Sequence, residues 1–349
     1  PSAARGPPGA PPPGARSARP PGPCGAMHGP PAEEEGEATP LPLRLLVGPS
    51  LGQGTSGSVH PLLQSIDGGR YVVKQVRLAE GKEAGPGLLE EVRLHRLCSA
   101  SCASVVSYAF ACLAEEALLV VMEACDAALW DVLAGEQEAW QRLVPGSQAS
   151  GPQERRLSRE ERLAVTAELC DAARHCHALR VLHRDVSPWN VFLVRRQAAP
   201  GARCRLSARL GDFGLAVQLP EGTERLEGLE ADAGPPLDES AMESLYSAPE
   251  LGKAYGFPAD VFSVGMTMLA LWASERYDGD ADGLTSVVEA AKAVACGRPP
   301  PPQGSKEALE LRRGERLPAL ALRMISASPE RRPGMAEVCA AAEGGAAPP

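Results

Sequence analysis

The chain has 349 residues, with 44 acidic against 35 basic, for a formal charge of −9. An acidic chain fits poorly to a nucleic-acid backbone or an anionic lipid surface, so neither nucleic acid nor a membrane is expected as a partner. The composition, 44% hydrophobic and 23% charged, can fill a core, although 36 Gly and 34 Pro make up a fifth of the chain and predict long loops or an unordered segment.

The first 40 residues contain 12 Pro and 7 Gly and almost no large apolar side chain. Such a segment cannot bury enough surface to offset chain entropy, so residues 1–40 read as a disordered tail. PPGAPPPGAR, Pro7 to Arg16, is of a kind that adaptor domains bind, though linker composition alone accounts for it. No basic stretch followed by an apolar one is seen near Pro1, so no secretory leader is read, and an upstream segment is left open.

From Leu41 to Cys125 the pattern is short apolar runs, LRLLVGPSLG, GSVHPLLQSI, RYVVKQVRL and ALLVVMEAC, punctuated by turn residues such as Asp67 to Gly69. These read as strands and hairpins of a small β-rich lobe. From residue 126 to 340 the periodicity lengthens to that of helices. Ser158 and Glu161 form a capping-box pair before a helical run in which Leu163, Leu169, Ala173 and Cys176 share a face. The apolar stretch VGMTMLALWA, Val264 to Ala273, has ten residues, half of the ~20 that span a bilayer, and reads as a buried helix. Residues 341–349 read as a second tail. The ten cysteines show no paired zinc spacing and read as reduced thiols of a cytoplasmic or nuclear protein.

Five motifs then occur in order. LGQGTSGSV, Leu51 to Val59, carries Gly52, Gly54 and Gly57 in a turn between strands, where bare backbone N–H groups can approach phosphate oxygens. Lys74 follows inside an apolar strand, as a fixed cation. HRDVSPWN contains Asp185 and Asn190; DFG begins at Asp212; APE ends at Glu250.

Over roughly residues 45 to 340 this set resembles the eukaryotic protein kinases, and YVVKQVRL, NVFLV and RLGDFGLA look most like NIMA-related kinases. The resemblance implies an α+β bilobal fold and ATP-dependent transfer of a phosphoryl group to a protein hydroxyl, of Ser or Thr rather than Tyr. It implies that Leu51, Gly52, Gly54, Gly57 and Val59 cover ATP, that Lys74 meets its phosphates, and that Glu123 to Cys125, after Met122, face the adenine. Asp185 would accept or orient the hydroxyl, and Asn190 and Asp212 would hold Mg2+. Lys74 needs a glutamate partner on the following helix, and LLEEVRLHRL offers two. Glu90 is preferred over Glu91, because it has Leu94 and Leu97 on its face rather than His95 and Cys98. DVFSVGM, Asp260 to Met266, resembles the family's start of a buried central helix, with Phe262 where Trp is usual, and Arg332 would pair with Glu250.

Two positions depart from the pattern. Ser187 replaces the lysine that neutralises the transferred phosphate in Ser/Thr kinases, and Glu243 replaces the threonine that contacts it. A kinase-fold scaffold that binds ATP but transfers poorly is therefore the alternative reading. Arg184 is the residue that in related kinases meets a phosphate on the activation segment. Ser240 is the preferred phosphosite, and a carboxylate of the segment is the alternative. Residues 215–247 carry eight acids against one base, which suggests a basic protein substrate.

Overall fold

The computed structural model describes residues 45–54, 57–63, 65, 67–78, 84–114, 117–144, 156–196, 205–227, 245–251, 253–277, 280–303, 305–311 and 316–343. The expected N-terminal tail, Ser240, Glu243 and Ser244 lie outside these residues.

The first part is an antiparallel sheet in the order β1-β2-β3-β5-β4. Its strands are β1 (Gly52–Gly54), β2 (Gly57–Pro61), β3 (Tyr71–Arg77), β4 (Tyr108–Ala114) and β5 (Ala117–Glu123), with helix α1 (Pro86–Ser99) between β3 and β4. The β2–β3 hairpin closes through the predicted Asp67-Gly68-Gly69 turn. Gly68 takes a left-handed φ of 73°, and Gly69 N–H donates to Asp67 Oδ1 at 2.8 Å. Residues directly opposite in antiparallel strands project to one face. The register therefore puts Val59, Lys74 and Val120 on the same face, joined two residues along by Val72 and Met122.

The second part is mainly helical. It contains β6 (Ala127–Ala128), α2 (Leu129–Leu133), α3 (Gln137–Leu143), α4 (Arg159–Ala178), β7 (Val181–Leu182), β8 (Val191–Arg196), β9 (Arg205–Leu210), β10 (Val217–Gln218) and β11 (Arg225–Glu227). It continues with β12 (Ala254–Gly256), α5 (Phe257–Tyr277), α6 (Ala281–Ala295), α7 (Lys306–Glu310), α8 (Arg316–Met324) and α9 (Met335–Glu343). Helix α4 begins where the sequence says it should: Ser158 accepts from Glu161 N–H, and the Glu161 carboxylate accepts from Ser158 N–H.

Helix α5 is long and apolar enough to cross a membrane, but 89% of its most apolar window is buried inside the fold. Gly265 lets it approach α8 closely, because a Cβ there would lie 2.7 Å from Met324 Cβ. The predicted Arg332–Glu250 pair forms beneath it, bidentate, and the Arg332 guanidinium also sits 4.9 Å from the ring centroid of the fully buried Phe262. Helix α9 runs to Glu343 and buries Ala342, so residues 341–343 belong to the folded part and not to the expected tail.

Candidate active site

Strand β3 delivers Lys74 to a nearly closed position, with 8% of the residue exposed. Its Nζ donates to Glu91 Oε1 at 2.6 Å and to Asp212 Oδ1 at 3.1 Å. Burial disfavours the ammonium charge, but Asp212 and Glu91 outweigh burial and hold the pKa above the usual lysine range.

The partner of Lys74 is thus Glu91 and not Glu90. Glu90 forms a bidentate pair with Arg93, at 2.7 Å for each bond, and Arg93 reaches on to Gln218 Oε1 at 2.8 Å. The reason is the direction α1 faces. Its fully inward side carries Leu94, His95 and Cys98, so Glu91 shares an inward stripe with His95 and Cys98, while Glu90 lies at its margin. A histidine on the stripe hid the signal. His95 is admitted because its Nε2 bonds Val106 O at 2.7 Å and its ring stacks on Phe213, with centroids 5.3 Å apart. Burial pushes its pKa down.

Phe213 also meets the edge of the His183 ring at 4.9 Å, and His95 meets Tyr108 at 5.8 Å. These rings form one column from the half-buried Tyr108 of β4 through α1 to the turn carrying Asp185, with His95, Phe213 and His183 buried. They hold the backbone of Asp212, which stands at a left-handed φ of 58°. The Asp212 carboxylate is set deep among protein atoms yet keeps 39% of its side-chain surface open. Burial raises its pKa, but Lys74 overrides this and holds it below the usual carboxylate value.

Asn190 Nδ2 donates to Asp185 Oδ2 at 2.7 Å and to Asp185 O at 2.9 Å, fixing the two side chains together. Burial lifts the Asp185 pKa, and the Asp212 charge adds to this, against the opposing effects of His183 and Asn190. The turn itself hangs from Asp260, whose carboxylate accepts from His183 N–H at 2.8 Å, Arg184 N–H at 2.9 Å and His177 Nε2 at 3.0 Å. Sequence reasoning placed Asp260 only as the start of a buried helix; an aspartate inside so apolar a run was the available signal.

Among the covering residues, Leu51 N–H donates to Val59 O at 2.8 Å, tying the two sides of the glycine turn. Gly57 is required by the fold, since φ is 127° and a Cβ would lie 2.2 Å from Gln75 O. Gly52 has open space around it. Met122 and Glu123 end β5. The Glu123 carboxylate is turned away, accepting from Ser107 N–H at 2.7 Å and lying 3.3 Å from Arg209 Nε. Burial drives the Cys125 thiol up to about 12, which makes it a poor nucleophile.

Ser187 is buried, with 4% exposed. Arg184 donates from Nε to Leu215 O at 2.5 Å and from a terminal nitrogen to Tyr255 Oη at 2.9 Å. The β11–β12 pairing clips the segment after DFG to the chain before α5, with Leu226 opposite Tyr255.

A carboxylate and an amide oxygen are hard ligands of the kind Mg2+ takes alongside substrate phosphates, and Asp212 and Asn190 supply that pair. Among the described residues no group of three His, Cys, Asp or Glu forms a metal cage made by the protein alone.

A strand-borne lysine held by a helix glutamate and an Asp, beside an Asp–Asn turn hung on a central helix, is carried by an α+β fold. Residues 46–342 match the family described as protein kinase domain, and the chain belongs to that family. Among its relatives, the serine/threonine-protein kinase Nek1 of Toxoplasma gondii is 26% identical over 66% of this chain and 13% of its own length. Calcium-dependent protein kinase 15 of rice is 28% identical over 68% of this chain and 39% of its own. Mouse serine/threonine-protein kinase Nek5 is 26% identical over 63% and 29%. The two Nek kinases agree with the NIMA-related likeness of YVVKQVRL. The matched part of the chain thus spans well under half the length of these relatives.

Proposed function

We propose that the chain is an ATP-dependent protein kinase that transfers the γ-phosphoryl group to a Ser or Thr hydroxyl of a protein. The observation that carries the reading is Lys74 Nζ held between Glu91 and Asp212, at 2.6 and 3.1 Å, with Asp185 fixed by Asn190. Bound Mg2+-ATP supplies the phosphoryl group and the divalent charge that screens it. Lys74 orients the phosphates, and Glu91 keeps Lys74 from swinging away. Asp212 and Asn190 would hold Mg2+ through oxygen. Asp185 uses the oxygen that Asn190 leaves unbonded to orient the acceptor hydroxyl. Such a site works mainly by positioning and charge neutralisation.

Ser187 gives the scaffold reading its specific support, since no cation stands at that position. Loss of one preorganised charge contact lowers a rate by about 10² to 10³. The acid-rich stretch from 215 to 247 supports a preference for basic substrates.

The test uses the purified chain with Mg2+-ATP and generic protein substrates, beside Asp212→Asn. Transfer by the wild type that is lost in the variant supports the kinase reading. Nucleotide-dependent thermal stabilisation with no transfer supports the scaffold. Absence of both overturns the nucleotide site.

A further inference from the structure

Trp189 lies in the same turn as Asp185 and Asn190 and keeps 46% of its surface open, in a protein whose other described tryptophans are more buried. The ring is nevertheless held firmly. It stacks on Trp130 of α2 with centroids 4.5 Å apart and planes at 28°, and meets Tyr246 at 5.5 Å and 86°. The backbone locks the same corner: Trp130 N–H donates to Pro188 O at 2.9 Å, and Asn190 N–H to Ser187 O at 3.0 Å. Three parts of the chain converge here, namely α2, the Asp185 turn, and the segment just before Ala248. Tyr246, at 2% exposed, fills the core, so core filling does not explain why its neighbour stays open.

We infer that Trp189, backed by Trp130 and Tyr246, is a specificity-determining platform for the substrate polypeptide, which places a large apolar side chain, aromatic or branched aliphatic, on the exposed ring. The inference rests on the proposed transfer to protein and names the class of its substrate. What covers the ring follows from where the ring is. A polypeptide that brings a hydroxyl to Asp185 must run past the turn that holds Asp185. An extended chain advances ~3.3 Å per residue, so a side chain within a few positions of the acceptor reaches the neighbouring ring. Among the described residues the ring's contacts are two other aromatic rings, Trp130 and Tyr246, so the surface it offers a substrate side chain is an apolar aromatic one. Rigid aromatic anchors of this kind dominate recognition energy where they occur.

The test uses fluorescent basic peptides with one serine, in which a single phenylalanine is scanned along either side, and an all-alanine parent. Anisotropy reads binding to the purified chain without turnover, and kinetics with Mg2+-ATP read transfer. One phenylalanine position is expected to tighten binding about 10- to 100-fold over the parent. Trp189→Ala should abolish that gain, raising KM for the phenylalanine peptide by a larger factor than for the alanine parent, rather than lowering kcat for the one peptide alone. Trp189→Phe should restore most of the gain, and Trp189→Gln should not; that comparison also serves if the alanine variant melts early. Phenylalanine-dependent, Trp189-dependent binding without transfer would keep the platform and overturn the kinase reading. Binding that ignores phenylalanine, or ignores Trp189, or prefers arginine at that position would overturn the platform.

Discussion

Replacing Glu91 by glutamine, beside the same change at Glu90, asks which carboxylate organises Lys74. The Lys74–Glu91 bond is 2.6 Å long, with side-chain exposures of 10% and 13%. At an effective dielectric of about 20, two unit charges at that separation attract by about 6 kcal/mol before the cost of desolvating them. Lys74 keeps Asp212 at 3.1 Å, so the variant does not strand a buried cation. The net loss is therefore nearer that of one hydrogen bond between charged groups, about 1.5 to 3 kcal/mol. Expressed in the transition state, this is a fall of about 10- to 150-fold in kcat/KM. Glu90 is bonded to Arg93 on the helix surface, a pair worth only about 0.3 to 0.5 kcal/mol, so Glu90→Gln should change the rate less than about threefold. The assay is peptide phosphorylation with both variants at matched thermal stability, with ATP-dependent melting shifts as a readout independent of transfer. Equal damage from the two variants, or a neutral Glu91→Gln, would refute the assignment.

Other outcomes follow from the ring column and the glycine turn. The His95 pKa is lowered in the folded state, so folding disfavours its proton. Its contribution to stability is complete above the unfolded value of about 6.5 and is lost as pH falls from there through the folded value. His95→Leu should flatten the stability profile just below pH 6.5 by up to about 1.4 kcal/mol per pH unit, and an unchanged slope would count against a buried neutral imidazole. Gly57→Ala should cost at least about 1 to 3 kcal/mol in chemical denaturation, because its backbone conformation is essentially reserved for glycine. Gly52→Ala, with open space around it, should leave stability within about 0.5 kcal/mol.

That Lys74, Asp185, Asn190 and Asp212 belong to one family pattern was legible because each sits in a short stretch of characteristic residue types, and their order along the chain removed chance. The strands, the Asp67 turn, the Ser158 cap and the buried helix were legible for the same reason: they depend on neighbours a few positions away. The choice between Glu90 and Glu91 was not, because it depends on which stripe of α1 turns toward β3. That stripe includes a histidine whose acceptability is set by Val106 and Phe213. Asp260 stood out only as an aspartate in an apolar helix; its task was not legible, since the amides it receives are 76 and 77 positions away. Trp130, Trp189 and Tyr246 lie far apart in sequence and become a platform only when three segments meet. The sequence by itself determined the family, because its motifs are particular residue types at short spacings. Only the tertiary structure decided the partner of Lys74, the anchor of the Asp185 turn and the exposure of Trp189, because each is a contact between elements whose relative facing is set by packing.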